Sequence, residues 1–131
     1  MTRGRAILFA ALAVAGALSA GGFSPGAAPA HSLLVRSEPG RSATVTRAPE
    51  RVRLWFSERI EPAYAKLSVW SEAGTQVNAG DAAVDSNDPA LLSVSTPDLG
   101  PGRYTVRFRV LSVDGHVVES SFAFTVKAAA R

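Results

Sequence analysis

From Arg51 onward, apolar and polar residues alternate along the chain. In "RVRLWFS", Val52, Leu54 and Phe56 share one side, and Arg51, Arg53, Trp55 and Ser57 take the other. "AKLSVWS" repeats the pattern with Leu67 and Val69, and "ALLSVST" with Leu92 and Val94. "GRYTVRFRV" sets Tyr104, Val106, Phe108 and Val110 against Thr105, Arg107 and Arg109, and "SSFAFTV" closes with Phe122, Phe124 and Val126. A period of two at this regularity predicts half-buried antiparallel strands, because successive side chains of a strand face opposite sides. Turn formers separate the runs: "SEPGRS", "SEAGT", "SNDP", "PDLGPG" and "DG". Short strands with such punctuation, and no helical period after residue 30, predict one all-β domain. A β-sandwich fits best, with a small closed barrel as the alternative.

The first thirty residues follow a different pattern. Arg3 and Arg5 precede an apolar run from Ala6 to Ala20, and the small-residue motif Ala28-Pro29-Ala30 follows. Charge, apolar run and small-residue site, in that order, are the marks of a secretory signal peptide. The run is shorter than the roughly 20 apolar residues of a spanning helix, and rich in Ala and Gly. The expected division is a signal peptide over 1–30 and a single mature domain over 31–131, with His31 as its first residue.

Processing changes the charge picture. The full chain has 14 basic and 11 acidic residues, and loss of Arg3 and Arg5 leaves 12 basic residues in a mature chain of 101. A chain so close to neutral lacks the basic excess that nucleic-acid binding needs. There is no cysteine, so the domain relies on its core rather than on disulfides. Thiolate zinc or copper sites and cysteine nucleophiles are excluded with it. The absence of a second long apolar segment predicts a soluble mature chain, and a monomer is expected.

Few residues are suited to chemistry. The chain has no GxSxG elbow, no phosphate-cradling glycine loop and no HExxH. Glu58, Glu61, Asp81, Asp85 and Asp88 read as solvated loop and strand-end charges. Asp114-Gly115-His116 reads first as a hairpin turn. That reading is compatible with metal binding: Gly115 can shape the backbone while Asp114 and His116, two apart, project to one side of an extended segment. The only other histidine is His31. As a terminal residue it would offer an α-amine and Nδ1, which together close a six-membered chelate ring. Its plainer reading is a flexible, solvated terminus. His31, Asp114 and His116 together supply three nitrogens and one oxygen, a tetragonal set that favours Cu(II) or Ni(II), with copper ahead in the Irving–Williams order.

These residues also carry a family likeness. "HSLLVRSEPG", "VRLWFSERI", "LGPGRYTVRFRVLSVDGH" and "SFAFTV" occur in an order and spacing that resemble the CopC family of periplasmic copper-resistance and copper-carrier proteins. The resemblance implies an immunoglobulin-like Greek-key β-sandwich, often called cupredoxin-like, that carries copper without catalysing a reaction. It implies one Cu(II) per chain on His31, Asp114 and His116, with Glu58 of the Phe-Ser-Glu motif as a further ligand or neighbour. An exposed strand-end glutamate explains Glu58 equally well. The resemblance also suggests a CopD-type inner-membrane copper transporter as partner. One departure is clear: family members that bind Cu(I) do so in a methionine-rich loop, whereas the only methionine here is Met1. A thioether Cu(I) site is excluded on ligand supply.

Two other readings compete. Polysaccharide monooxygenases also use a terminal histidine around copper, but they need an open coordination position that Asp114 would fill here. A metal-free immunoglobulin-like structural domain would use none of these ligands. The first test is processing. N-terminal sequencing of the exported protein is expected to begin at His31, and any other start removes the chelating amine.

Overall fold

The computed structural model describes residues 33–128. The signal peptide and His31 expected from the sequence lie outside the described residues. Eight strands follow in chain order: β1 Leu34–Glu38, β2 Thr44–Val45, β3 Arg51–Phe56, β4 Lys66–Ser71, β5 Ala83–Val84, β6 Leu91–Ser95, β7 Gly102–Leu111 and β8 Val117–Val126. They form two four-stranded sheets, ordered β1-β3-β6-β5 and β2-β8-β7-β4. The chain crosses from one sheet to the other at β1–β2, β2–β3, β3–β4, β4–β5 and β6–β7, and the two sheets pack as a β-sandwich. All pairings are antiparallel except β2 with β8.

Every apolar face read from alternation points inward. Val52, Leu54 and Phe56 of β3 and Leu92 and Val94 of β6 meet Leu67, Val69, Val106, Phe108, Val110 and Phe124 of the other sheet. Each such side chain contributes about 1.5–3 kcal/mol on burial. Phe56 sits edge-on to Phe108 with ring centroids 5.7 Å apart, a favoured aromatic geometry. Tyr104 stacks on Phe124 at 5.5 Å, and its hydroxyl donates to the Gly100 carbonyl at 2.6 Å. The ring is thereby buried without stranding its polar end.

Three strands escape alternation. β1 carries a bulge: Leu34 faces Phe56 but Arg36 faces Trp55, so Val35 is extra and exposed. One inserted residue reverses the side-chain phase beyond it, which hides the strand from a period-two reading. β2 and β5 have two residues each, too few to show a period.

The longest element is the β7–β8 hairpin, paired from Gly102↔Val126 to Leu111↔Val117. The β3–β4 crossover passes its tip. There the chain forms an isolated bridge, Ile60↔Ser112, and a short 3-10 turn over Pro62–Tyr64. Glu61 N–H donates to the Leu111 carbonyl at 2.8 Å and Val113 N–H to the Arg59 carbonyl at 3.0 Å. A connection between sheets is thus fastened to the end of the longest hairpin.

Leu54 is fully buried between the sheets. Leu54→Ala is expected to lower stability by about 2–5 kcal/mol in urea unfolding of the mature chain. Val35→Ala, at the exposed bulge, should stay within about 0.5 kcal/mol. Equal effects would contradict this core.

Candidate metal centre

The site lies at the tip of the β7–β8 hairpin. Residues 112–116 form the loop, with Gly115 N–H donating to the Ser112 carbonyl at 2.9 Å and Ser112 N–H to the His116 carbonyl at 2.9 Å. Gly115 has φ +94°, in the left-handed region that glycine adopts without a Cβ penalty. The Asp-Gly turn expected from sequence is therefore present, but within a five-residue loop. Asp114 and His116 converge because this turn folds them together, not because they alternate along an extended strand.

Ser112 organises the loop from below. It is only 1% exposed. Its hydroxyl donates to Asp114 Oδ1 and accepts from His116 N–H at 3.1 Å. The His116 ring places Nδ1 3.3 Å from Asp114 Oδ1. One buried hydroxyl thus fixes the carboxylate and the backbone of the imidazole residue.

The third member comes from 56 positions earlier in the chain. Glu58 stands just after β3, and the crossover carries it to the hairpin tip. Ligand-type atoms of Glu58, Asp114 and His116 all lie within 4.8 Å of one another. The expectation that Glu58 is a solvated strand-end charge fails. The residue is half-buried, and its Oε2 is buried with no hydrogen-bond partner. Burying a polar atom unpartnered is costly, and a bound cation would satisfy it. Asp81 and Asp85 also differ from free surface charges. Asp81 accepts from Ser95 N–H and hydroxyl, and Asp85 from the N–H groups of Asn87 and Asp88. Both shape loops far from this cluster in sequence.

The electrostatics of the two acids diverge. The hydrogen bond to Asp114 holds the Glu58 carboxyl above its ordinary range, reinforced by burial and by the like charge of Asp114. The Ser112 hydroxyl holds Asp114 below its range, helped by Glu58 and by His116. The two carboxyls thus differ in how readily they ionise, with Asp114 the stronger acid and Glu58 the weaker. Ligand atoms about 2.0–2.2 Å from a small cation lie about 3–4 Å from each other, so small side-chain movements would bring this cluster to the spacing an ion requires.

The described residues therefore define a β-sandwich with a cluster of oxygen and nitrogen donors at one end. Residues 34–127 match the CopC domain, and the chain belongs to the CopC domain family. It is 34% identical over 99 residues to protein YobA of Escherichia coli (strain K12), covering 75% of this chain and 80% of that one. It is 31% identical over 125 residues to copper resistance protein C of Xanthomonas campestris pv. juglandis, covering 91% and 98%. The crystal structure of CopC from Methylosinus trichosporium OB3b superposes with a TM-score of 0.67 at 36% identity, over 77% of this chain and 98% of that one.

The shifted acids set a pH test on the metal-free protein. Asp114, with its lowered value, stabilises the fold above about pH 3.9 and loses that contribution as pH falls through its folded value. Glu58 acts in the opposite sense. Its raised value means that the folded state loses stability as pH climbs from about 4.3 through the folded value. Glu58→Gln keeps a donor towards Asp114 and removes that loss. Between pH 4 and pH 7 the urea midpoint of the variant should rise more, or fall less, than that of the parent. Parallel profiles would contradict the raised value of Glu58.

Proposed function

We propose that this protein is an exported Cu(II) carrier or buffer serving copper homeostasis or resistance outside the cytoplasm, without catalysis of its own. The observation that carries the reading is the Glu58–Asp114–His116 cluster, all within 4.8 Å, in a chain of the CopC domain family whose relatives include a copper resistance protein. Copper is the cargo, one ion per chain. His116 supplies a nitrogen and Asp114 an oxygen, and Glu58 lies beside them as a further oxygen donor or as the acid that balances charge when the ion leaves.

His31 completes the set in this reading. Ser57 N–H donates to the Leu33 carbonyl at 2.6 Å, which brings the start of the described chain alongside the residue before Glu58. Two residues reach at most about 7 Å, a span that supports reading His31 as a ligand. Its α-amine and imidazole would then add two nitrogens to the nitrogen and oxygen of His116 and Asp114, a set suited to Cu(II). No methionine other than Met1, and no cysteine, offers Cu(I) a soft site. A CopD-type membrane transporter is the partner the family likeness suggests for delivery.

The test is Cu(II) titration of the mature chain beginning at His31, against a competing chelator. One ion should bind per chain, with a tetragonal electron paramagnetic resonance spectrum showing nitrogen couplings and no intense blue thiolate band. His116→Ala and Asp114→Ala should each weaken binding at least about tenfold without unfolding the protein. Copper displaces protons from its ligands. With unperturbed values of about 7.7–8.0 for the amine and about 6.5 for histidine, affinity should fall as pH drops from 8 towards 5. One extra residue before His31 turns the amine into an amide, so binding at pH 7 should weaken and the pH dependence become shallower. If extended and native chains bind alike, His31 is not a chelating terminus.

A further inference from the structure

The outward face of the β2-β8-β7-β4 sheet carries charge that the fold does not use. Lys66 stands opposite Arg109, Arg107 lies one row further along, opposite Ser68, and Arg103 sits at the far end, opposite Thr125. All four alternate with core residues such as Leu67 and Phe108 and are exposed. One acid on these strands answers them, and Glu72, just after β4, lines a hollow with Arg103 and Arg107. Glu119 lies 4.0 Å from Arg109 with both side chains exposed, a contact of little strength. Lys66 and Arg103 make no ion pair among the described residues.

The other sheet treats its arginines differently. There Arg36 and Arg53 both reach Glu38, at 2.5 and 3.5 Å, and Arg51 donates to Ser93 at 3.3 Å. The imbalance is a property of one face.

Its relief is also particular. Lys66, Arg107 and Arg109 stand around a groove of about 560 Å³ whose other lining is three serines, Phe108 and Glu119. Arg107 is held over the Trp70 ring at 5.0 Å. Towards the metal end, a second hollow of about 350 Å³ shares Lys66 and Arg109 and is bordered by Tyr64 and Val117. These two side chains are 62% and 57% exposed. An exposed tyrosine and valine thus rim a field of cations.

We propose that this face lies against an anionic phospholipid surface, with Lys66, Arg103, Arg107 and Arg109 on lipid phosphates and Tyr64 and Val117 at headgroup depth. Adjacent strands are about 4.8 Å apart, and residues four apart along a strand about 13 Å. The cations are therefore spread over an area far larger than one phosphate, as a charged surface requires. A protein partner would seek a buried apolar centre within its polar rim. Here the centre is mainly cationic and polar, and the exposed large apolar side chains, Tyr64 and Val117, lie at the edge. Aromatic side chains with a polar end favour the membrane–water boundary, and lysines and arginines near an anionic leaflet each strengthen attachment several-fold. Val117 directly follows the Asp114–His116 loop, so attachment in this pose brings the metal centre to the membrane boundary. The assignment rests on the face itself and not on the copper reading.

Co-sedimentation of the metal-free mature chain with vesicles tests it. Binding is expected to phosphatidylcholine vesicles containing phosphatidylglycerol, to weaken as salt is raised, and to be absent with phosphatidylcholine alone. Lys66→Glu with Arg107→Glu should reduce binding at least about tenfold, and the milder pair Lys66→Gln and Arg107→Gln should reduce it less. Tyr64→Ala should lower it a few-fold. Arg51→Glu with Arg53→Glu, on the opposite sheet, should leave it within about twofold, and circular dichroism should show every variant folded. No binding to phosphatidylglycerol vesicles overturns the proposal, as does equal loss from the opposite-face variant. Tighter binding to poly-glutamate than to vesicles also overturns it and assigns the face to an acidic protein segment.

Discussion

The Glu58–Asp114–His116 cluster depends on one contact, the bridge between Ile60 and Ser112. Both residues are almost wholly buried, one in the crossover between sheets and the other at the tip of the longest hairpin. Remove that bridge and Glu58 has no reason to stand beside Asp114. Ser112 then extends the constraint outward. A hydroxyl both donates and accepts, and this one donates to Asp114 and accepts from the His116 backbone. A side chain lacking either capacity would leave a polar group at the loop base unsatisfied.

The scaffold beneath is a long, packed hairpin. Ten paired residues in each of β7 and β8 carry the loop, with Phe108, Val110 and Val118 buried just below it. Functional side chains on a short loop held by a packed hairpin are placed accurately without being part of the core. The cost of the arrangement is electrostatic. Asp114 and burial oppose the ionisation of Glu58, and Glu58 Oε2 lacks a partner. Local conflict of this kind is found where a protein keeps a place for a ligand. In a member of the CopC domain family, it is consistent with copper.

Arginine serves two purposes in this sandwich. On the β1-β3-β6-β5 sheet, it ties strands together: Arg36 stacks over Trp55 and pairs with Glu38, and Arg53 reaches the same acid. On the other sheet, Arg103, Arg107 and Arg109 line up along one strand with little opposing charge. The same residue type, at the same alternating spacing, is structural in one setting and available in the other. Neighbouring strands decide which.

Alternation alone determined most of the core, because a strand's period of two separates inward from outward residues without reference to any partner. It placed Val52, Leu54, Leu67, Val69, Leu92, Val94, Val106, Phe108, Phe122 and Phe124 inside, where they are buried. The Asp-Gly pair announced the turn, and the spacing of Asp114 and His116 marked them as partners. Periodicity could not show β1, whose bulge shifts the phase, or β2 and β5, which are too short to have one. Nor could it separate Glu58 from the other exposed-looking acids. That distinction arises from a contact across 56 positions, made when the crossover docks on the hairpin tip. Alternation assigns a residue to a face, but only strand order and register assign its neighbours, and both the acid beside Asp114 and the weakly balanced cations of β7 are facts about neighbours.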